Sequence, residues 1–265
     1  MITFYSHNIW NNSPAGYRTK LLRELMGDFD ADVCAFQECS PIRNRKDLPT
    51  IEETMGDVYL EALPQFAEEN YTPIFYKKDK FNVIDGDFFS YAGLNDLGSK
   101  SVSWAILEDK ETKERFAFAS THFWWMARGE EDSNQRIENA KQLKGVCDSI
   151  IEKYNLPVFI GGDFNNGKNS SQGDAPYFEM LKMGFVDIRT IAEDCTDVEF
   201  TCQSAVPVLQ DDESFTKVPI EPDMCIDYIF VYGDFKGKVK KFYIETNDKA
   251  RTASDHTPLI AEIEF

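Results

Sequence analysis

Val158-Phe159-Ile160-Gly161-Gly162-Asp163-Phe164-Asn165 is an apolar run that ends abruptly in glycines, a carboxylate and an amide. The first part, Val158 to Gly161, predicts a buried strand. Gly, Asp and Asn by themselves would signify only a turn. Directly upstream, a long helix is expected over about Ser133 to Tyr154, capped by Ser133 or Asp132 and stopped before Pro157. Downstream, a helix is expected over about Ala175 to Met183, then a long irregular stretch containing the acidic run Asp211-Asp212-Glu213, which reads as a solvated loop.

The same pattern, a hydrophobic strand closing on a polar residue, recurs along the chain. Residues 2–9 alternate, with Ile2, Phe4, Ser6 and Asn8 on one face and Thr3, Tyr5, His7 and Ile9 on the other. Tyr17 to Phe29 has helical spacing through Leu21, Leu22, Leu25 and Met26. Ala31 to Phe36 is a buried strand that ends at Gln37-Glu38. Further strands are expected near 58–62, 71–77, 81–89, 101–108 and 115–121, the second turning as a hairpin arm at Lys77-Lys78-Asp79-Lys80. Closing strands follow at about 225–232, 237–245 and 257–264. So many strands with few long helices predict two central sheets with helices outside, in one domain spanning 1–265.

Six strand ends therefore present Asn8, Glu38, His122, Asp163 with Asn165, Asp227, and Asp255 with His256. A rigid strand end can hold a side chain at the mouth of a cleft. The set is rich in oxygen donors and suits a hard cation such as Mg²⁺ or Mn²⁺.

With those residues in that order, the chain resembles the endonuclease/exonuclease/phosphatase superfamily, which includes pancreatic DNase, apurinic endonucleases, neutral sphingomyelinases and inositol-polyphosphate phosphatases. The resemblance runs from Asn8 to His256. It implies a DNase-like four-layer α/β/β/α sandwich with two mostly antiparallel mixed sheets, and a divalent-metal-dependent phosphoester hydrolase. It also implies that Glu38 is the principal metal ligand, supported by Asn8 and Asp255. Asp163 would orient or deprotonate the attacking water, and Asn165 would contact the phosphate. His256 matches the catalytic histidine, Asp227 its carboxylate partner, and His122 the second histidine that bonds a phosphoryl oxygen. Ser254 gains no role as a nucleophile.

The chain departs from particular branches. Cys39-Ser40-Pro41 follows Glu38 where apurinic endonucleases have Thr-Lys, and Trp10 stands where they often carry a second acidic residue. Asp227-Tyr228-Ile229 replaces the Asp-Arg-Ile of inositol-polyphosphate phosphatases. The form is more similar to the bacterial and sphingomyelinase-type branches.

Charge narrows the partners. With 28 Lys+Arg against 46 Asp+Glu, the net charge is −18, which would repel a polyanion over most of the surface. A small phosphorylated metabolite or short nucleotide is expected as substrate; a DNA or RNA nuclease is the alternative reaction, and a non-catalytic binding module on the same fold is the alternative of another class. The six cysteines form no CxxC pair and predict buried, reduced thiols. No apolar run approaches the ~20 residues of a transmembrane helix, and Met1-Ile2-Thr3-Phe4-Tyr5 lacks a secretory signal, so a cytoplasmic location is expected. His7 points away from Asn8 by alternation. Arg136 reads as a structural ion-pair donor. Trp124 and Trp125 read either as core or hairpin aromatics or, for one of them, as a wall of the substrate cleft, with Trp124 taken as the substrate contact.

Overall fold

Two parallel strand pairs organise the molecule. β1 (Ile2–Asn8) runs beside β2 (Val33–Gln37), joined through the helix Gly16–Asp28. β7 (Arg115–His122) runs beside β8 (Val158–Asp163), joined through the helix Glu130–Tyr154. Parallel neighbours need such a crossover, and the helix covers the outer face of its sheet. The computed structural model describes residues 1–10, 16–39, 56–167, 174–196, 198–203, 205–209, 215–219 and 224–265.

Antiparallel strands extend each pair. The first sheet has the order β10 (Ala192–Cys195), β14 (Lys238–Ile244), β15 (Leu259–Glu264), β1, β2, β4 (Ile74–Lys77), β3 (Tyr59–Glu61). The second runs β5 (Phe81–Ser90), β6 (Ser101–Asp109), β7, β8, β13 (Asp227–Tyr232), β9 (Val186–Asp187). A separate ribbon pairs β11 (Ala205–Leu209) with β12 (Phe215–Pro219). The expected α/β/β/α sandwich is present.

Three apolar clusters fill the three interfaces. Phe4, Phe116, Phe118 and Phe159 meet between the sheets, with Phe4 and Phe118 ring centres 4.6 Å apart. Leu143, Cys147 and Ile150 of the long helix cover Ile106, Ala117 and Ile160. Leu22, Leu25 and Met26 cover Tyr5, Cys34 and Phe36. Because both faces of each sheet are covered, the central strands are buried almost throughout, and each strand's parity decides which core it feeds.

The inner face changes character along the strands. Phe4 gives way to Ser6 and then Asn8, Phe118 to Ser120 and His122, and Phe159 to Gly161 and Asp163, all buried. Gln37 Nε2 donates to Ser120 Oγ at 3.1 Å, tying the sheets together where the aromatic packing ends. A Cβ on Gly161 would lie 2.8 Å from the Ser6 Cβ and 3.2 Å from the Ala35 Cβ. The glycine thus permits the close sheet contact just below the polar end. Gly161→Val is expected to cost about 1–3 kcal/mol by overpacking, read as a lower midpoint in urea; an unchanged midpoint would contradict this account of the glycine.

Three local expectations need correction. Lys77 to Lys80 is not a hairpin turn, since β4 and β5 lie in different sheets. Asp32 receives Lys77 Nζ at 3.0 Å and Lys80 Nζ at 2.6 Å, which holds the chain as it crosses between them. The long helix begins at Glu130, with Gly129 as its N-cap residue and no side-chain cap. Asp132 instead accepts the Arg128 N–H at 2.8 Å and the Trp124 indole N–H at 2.6 Å, securing the incoming loop. The stretch expected to be irregular contains β9 to β12, while Asp211, Asp212 and Glu213 lie outside the described residues. A short helix, Asp248–Ala253, capped by the Asn247 side chain, precedes Ser254. All six cysteines are free thiols, five of them buried. Among the described residues, no helix is long and apolar enough to cross a membrane.

Candidate functional site

Register brings the polar strand ends to one edge. His122 pairs with Asp163 across β7 and β8, and Asp163 pairs with Asp227 across β8 and β13. In the other sheet Asn8 pairs with Gln37, immediately before Glu38. β15 runs antiparallel to β1, so the residues just before it, Asp255 and His256, arrive at the same edge. This is the C-terminal end of both parallel pairs, where open α/β sheets offer a crevice. A cavity of about 380 Å³ opens there, and Glu38, Lys100, His122, Asp163, Asp255 and His256 line it.

Asp163 is the hub. Its carboxylate accepts Asn8 Nδ2 at 2.8 Å and the Asn165 backbone N–H at 2.9 Å. His122 Nε2 lies 3.4 Å from it and His256 Nε2 3.9 Å. Burial, followed by the charge of Asp227 in the facing register position, pushes its pKa up to about 6, against the opposing pull of His256. Asp255, partly exposed, is also pushed up to about 6, by burial and then by the Glu38 charge, against the opposing pull of His256.

The two histidines titrate in opposite directions. Burial alone would lower the His256 pKa, but Asp227, bonded to Nδ1 at 2.8 Å, and further negative groups raise it well above the ordinary value. His256 is therefore a cation at neutral pH. His122 is lowered well below the ordinary value by burial and then by the Lys100 and His256 charges. Asn165 Nδ2 lies 3.0 Å from His122 Nε2 and Lys100 Nζ 3.1 Å. Both neighbours are donors, so this nitrogen acts as an acceptor and the ring is neutral.

Lys100 is the site residue that sequence reading missed. It is 4 % exposed. Its pKa is lowered by burial while Glu38, Asp163 and Asp96 oppose that shift. A lysine just before a strand ordinarily reads as solvated. Its place follows from Ser101, the next residue, which pairs with His122 across β6 and β7, a register that the sequence does not show.

Backbone conformation sets these ends apart. Trp10, Glu38 and Asn165 have φ of 56°, 53° and 49°, left-handed values that non-glycine residues seldom adopt. Each lies just beyond the C-terminal end of a central strand, and such outliers cluster at working sites.

The geometry also sorts the sequence candidates. Glu38, His122 and Asp163 offer ligand atoms within 4.8 Å of one another, as do Asp163, Asp227 and His256; Asp255 falls in neither group. Asn8 Oδ1 accepts the Trp10 N–H at 3.0 Å while its NH₂ faces Asp163 and Glu38, so ligation by this amide would need it turned over. The paired buried carboxylates and adjacent Glu38 fit a divalent cation, whose charge would relieve their repulsion. Trp124 does not line the cleft as expected: it is 4 % exposed, with its N–H given to Asp132, and Trp125 stands there instead. Arg136 is structural, but it donates to the carbonyls of Trp124 and Met126. His7 stays on the outer face, between the Tyr5 hydroxyl at 2.9 Å and the His256 carbonyl at 3.1 Å. Ser254 is buried, with its hydroxyl donating to Asn8 O at 2.7 Å.

The model of the Endonuclease/Exonuclease/phosphatase family matches residues 5–256. The chain belongs to this family. No curated protein matches the sequence significantly. Among solved structures, the mannosyl-6-phosphatase of Bacteroides thetaiotaomicron VPI-5482 is 22 % identical, with a TM-score of 0.72 and 100 % of both chains covered. The human Nocturnin catalytic domain with a bound sulfate anion is 16 % identical, with a TM-score of 0.65 over 100 % of this chain and 94 % of that one. TDP2 of D. rerio complexed with a single-strand DNA product is 16 % identical, with a TM-score of 0.67 over 100 % and 99 %. These likenesses establish the fold, and family membership makes divalent-metal-dependent phosphoester hydrolysis the reaction class to test.

Proposed function

We propose that this protein is a Mg²⁺-dependent phosphoesterase acting on a small phosphorylated metabolite or short nucleotide. The observation that carries the reading is the Asp163 hub, placed between a cationic His256 and a neutral His122 in a small cleft. Glu38 would hold the ion, with Asp255 completing the set and Asp163 left free to act on the water; Mn²⁺ is the other ion this oxygen-rich set would take. When bound, the ion supplies charge stabilisation for the phosphoryl oxygens.

This chain's own groups supply the rest. With a pKa of about 6, Asp163 is mostly ionised at pH 7 and can take a proton from an attacking water. Asn8 fixes its orientation. His256, charged and braced by Asp227, donates to a phosphoryl oxygen. Lys100 brings a second positive charge to that side of the cleft. Asn165, whose NH₂ is given to His122 Nε2 and Phe123 O, holds the neutral His122 ring in place beside Lys100. The product is an alcohol and a phosphate, or a phosphate monoester if the substrate is a diester.

The 380 Å³ cavity and the −18 charge favour a compact substrate over a long polyanion. A panel of sugar phosphates, nucleotides, a phosphodiester and plasmid DNA tests this, with Mg²⁺, Mn²⁺ or EDTA. Monoester turnover without nicking is expected. Nicking without monoester turnover would favour the nuclease reading, and ion binding without any hydrolysis would favour a binding module.

Acid should weaken the ion's hold. Both Asp163 and Asp255 have folded pKa values raised to about 6, so protons occupy them increasingly below that pH. The apparent Mg²⁺ dissociation constant should rise about tenfold between pH 7 and pH 5 for each of the two that binds the ion. Calorimetric titration at both pH values reads this, and a pH-independent constant would place the ion elsewhere.

A further inference from the structure

Beyond the Asp163 hub the same cleft continues to Trp125, Asp96 and Ser99. Trp125 is 46 % exposed, and its indole N–H donates to Asp96 Oδ2 at 2.5 Å. The buried Trp124 backs the ring, with centroids 6.4 Å apart.

The loop carrying Asp96 is built rather than slack. Asn95 Nδ2 donates to the carbonyls of Tyr91 and Lys100, both at 2.9 Å, and Asn95 Oδ1 accepts the Lys100 N–H at 2.9 Å. Gln135 of the long helix accepts the Leu94 N–H at 2.9 Å and donates to Ala92 O at 3.0 Å. Ser99 N–H closes a turn onto Asp96 O at 2.8 Å. The aromatic face, the carboxylate and Lys100 therefore keep fixed relative positions.

We propose that Trp125, Asp96 and Ser99 form a sugar subsite, so that the group carrying the phosphate is a monosaccharide-like polyol. The inference rests on the phosphoesterase reading above. An indole face presents negative π-density to the weakly positive C–H face of a saturated ring. A carboxylate fixed beside that indole accepts hydrogen bonds only, which suits adjacent hydroxyls. A nucleobase would stack on the same face, but the carboxylate takes only the N–H groups of its edge and repels the ring nitrogens and carbonyls beside them, whereas every hydroxyl of a polyol can donate. The same negative charge opposes a second phosphate, which favours a monophosphate.

Trp125→Ala and Asp96→Asn test the assignment with a hexose monophosphate, a nucleoside monophosphate and methyl phosphate. Wild type should prefer the hexose phosphate. In each variant, selectivity for it over methyl phosphate should fall about tenfold or more, mainly through KM. Parallel losses on both substrates would overturn the subsite, as would wild-type preference for the nucleoside phosphate. Saturation-transfer NMR with the hexose phosphate separates this from failure of the reaction itself. If nothing is hydrolysed, transfer lost on Trp125→Ala supports the subsite, whereas absent or Trp125-independent transfer overturns it.

Discussion

Asp163→Asn is expected to lower kcat by about a thousandfold or more while leaving the protein folded and, without metal, more stable. The activity loss follows from the proposed role, because an amide cannot take the proton of the attacking water, and such groups contribute about 10²–10⁴-fold. The gain in stability follows from the observed packing. Asp163 is buried, faces Asp227 across the ladder, and has a pKa already pushed up to about 6. Removing its charge relieves that repulsion and the cost of burial, which outweigh the lost Asn8 Nδ2 bond and the lost attraction to His256, and the Asn oxygen can still accept the Asn165 N–H. Calorimetry in EDTA at pH 7 should show a higher Tm for the variant. A lower Tm with retained turnover would sink both halves of the argument.

His256→Ala is the second large effect, an expected loss of about 10²–10³-fold in kcat with little change in fold. A more discriminating partner is Asp227→Asn. Asp227 holds the His256 pKa well above normal against the opposing effect of burial. Without that charge the folded pKa falls, so His256 loses its proton at lower pH. The alkaline limb of the kcat profile should therefore shift to lower pH in Asp227→Asn and vanish in His256→Ala. An unshifted limb would mean that another group provides the acid. Lys100 is the alternative to examine, because it is buried and adjacent to His122.

What could be read in the sequence divides along physical lines. The central strands were legible because apolar alternation over several residues leaves few other solutions, and their polar ends stood out against it. Asn8, Glu38, His122 and Asp163 share an edge because the ladder register aligns residues that strand reading places at strand ends; Asp227 joins them because its strand begins there rather than at 225. Lys100 was not legible, since its burial depends on pairing Ser101 with His122 and on the Asn95 loop beside it. Trp124 and Trp125 could not be separated, because the strand ends at His122 and alternation no longer applies. Asp132, on a distant helix turn, decides between them by taking the Trp124 N–H. The bend at Lys77 to Lys80 had the composition of a hairpin, and only the ion pairs to Asp32 distinguish a crossing between sheets. β9 to β12 are short, with too few residues to set a period.

The most direct test is metal-restored turnover of a small phosphate monoester by EDTA-treated protein, measured beside Asp163→Asn. The account predicts no phosphate release in EDTA, recovery when Mg²⁺ is added to wild type, and none in the variant. Release that persists in EDTA, or that Mg²⁺ restores equally in Asp163→Asn, would contradict a cation-dependent phosphoesterase site centred on Asp163.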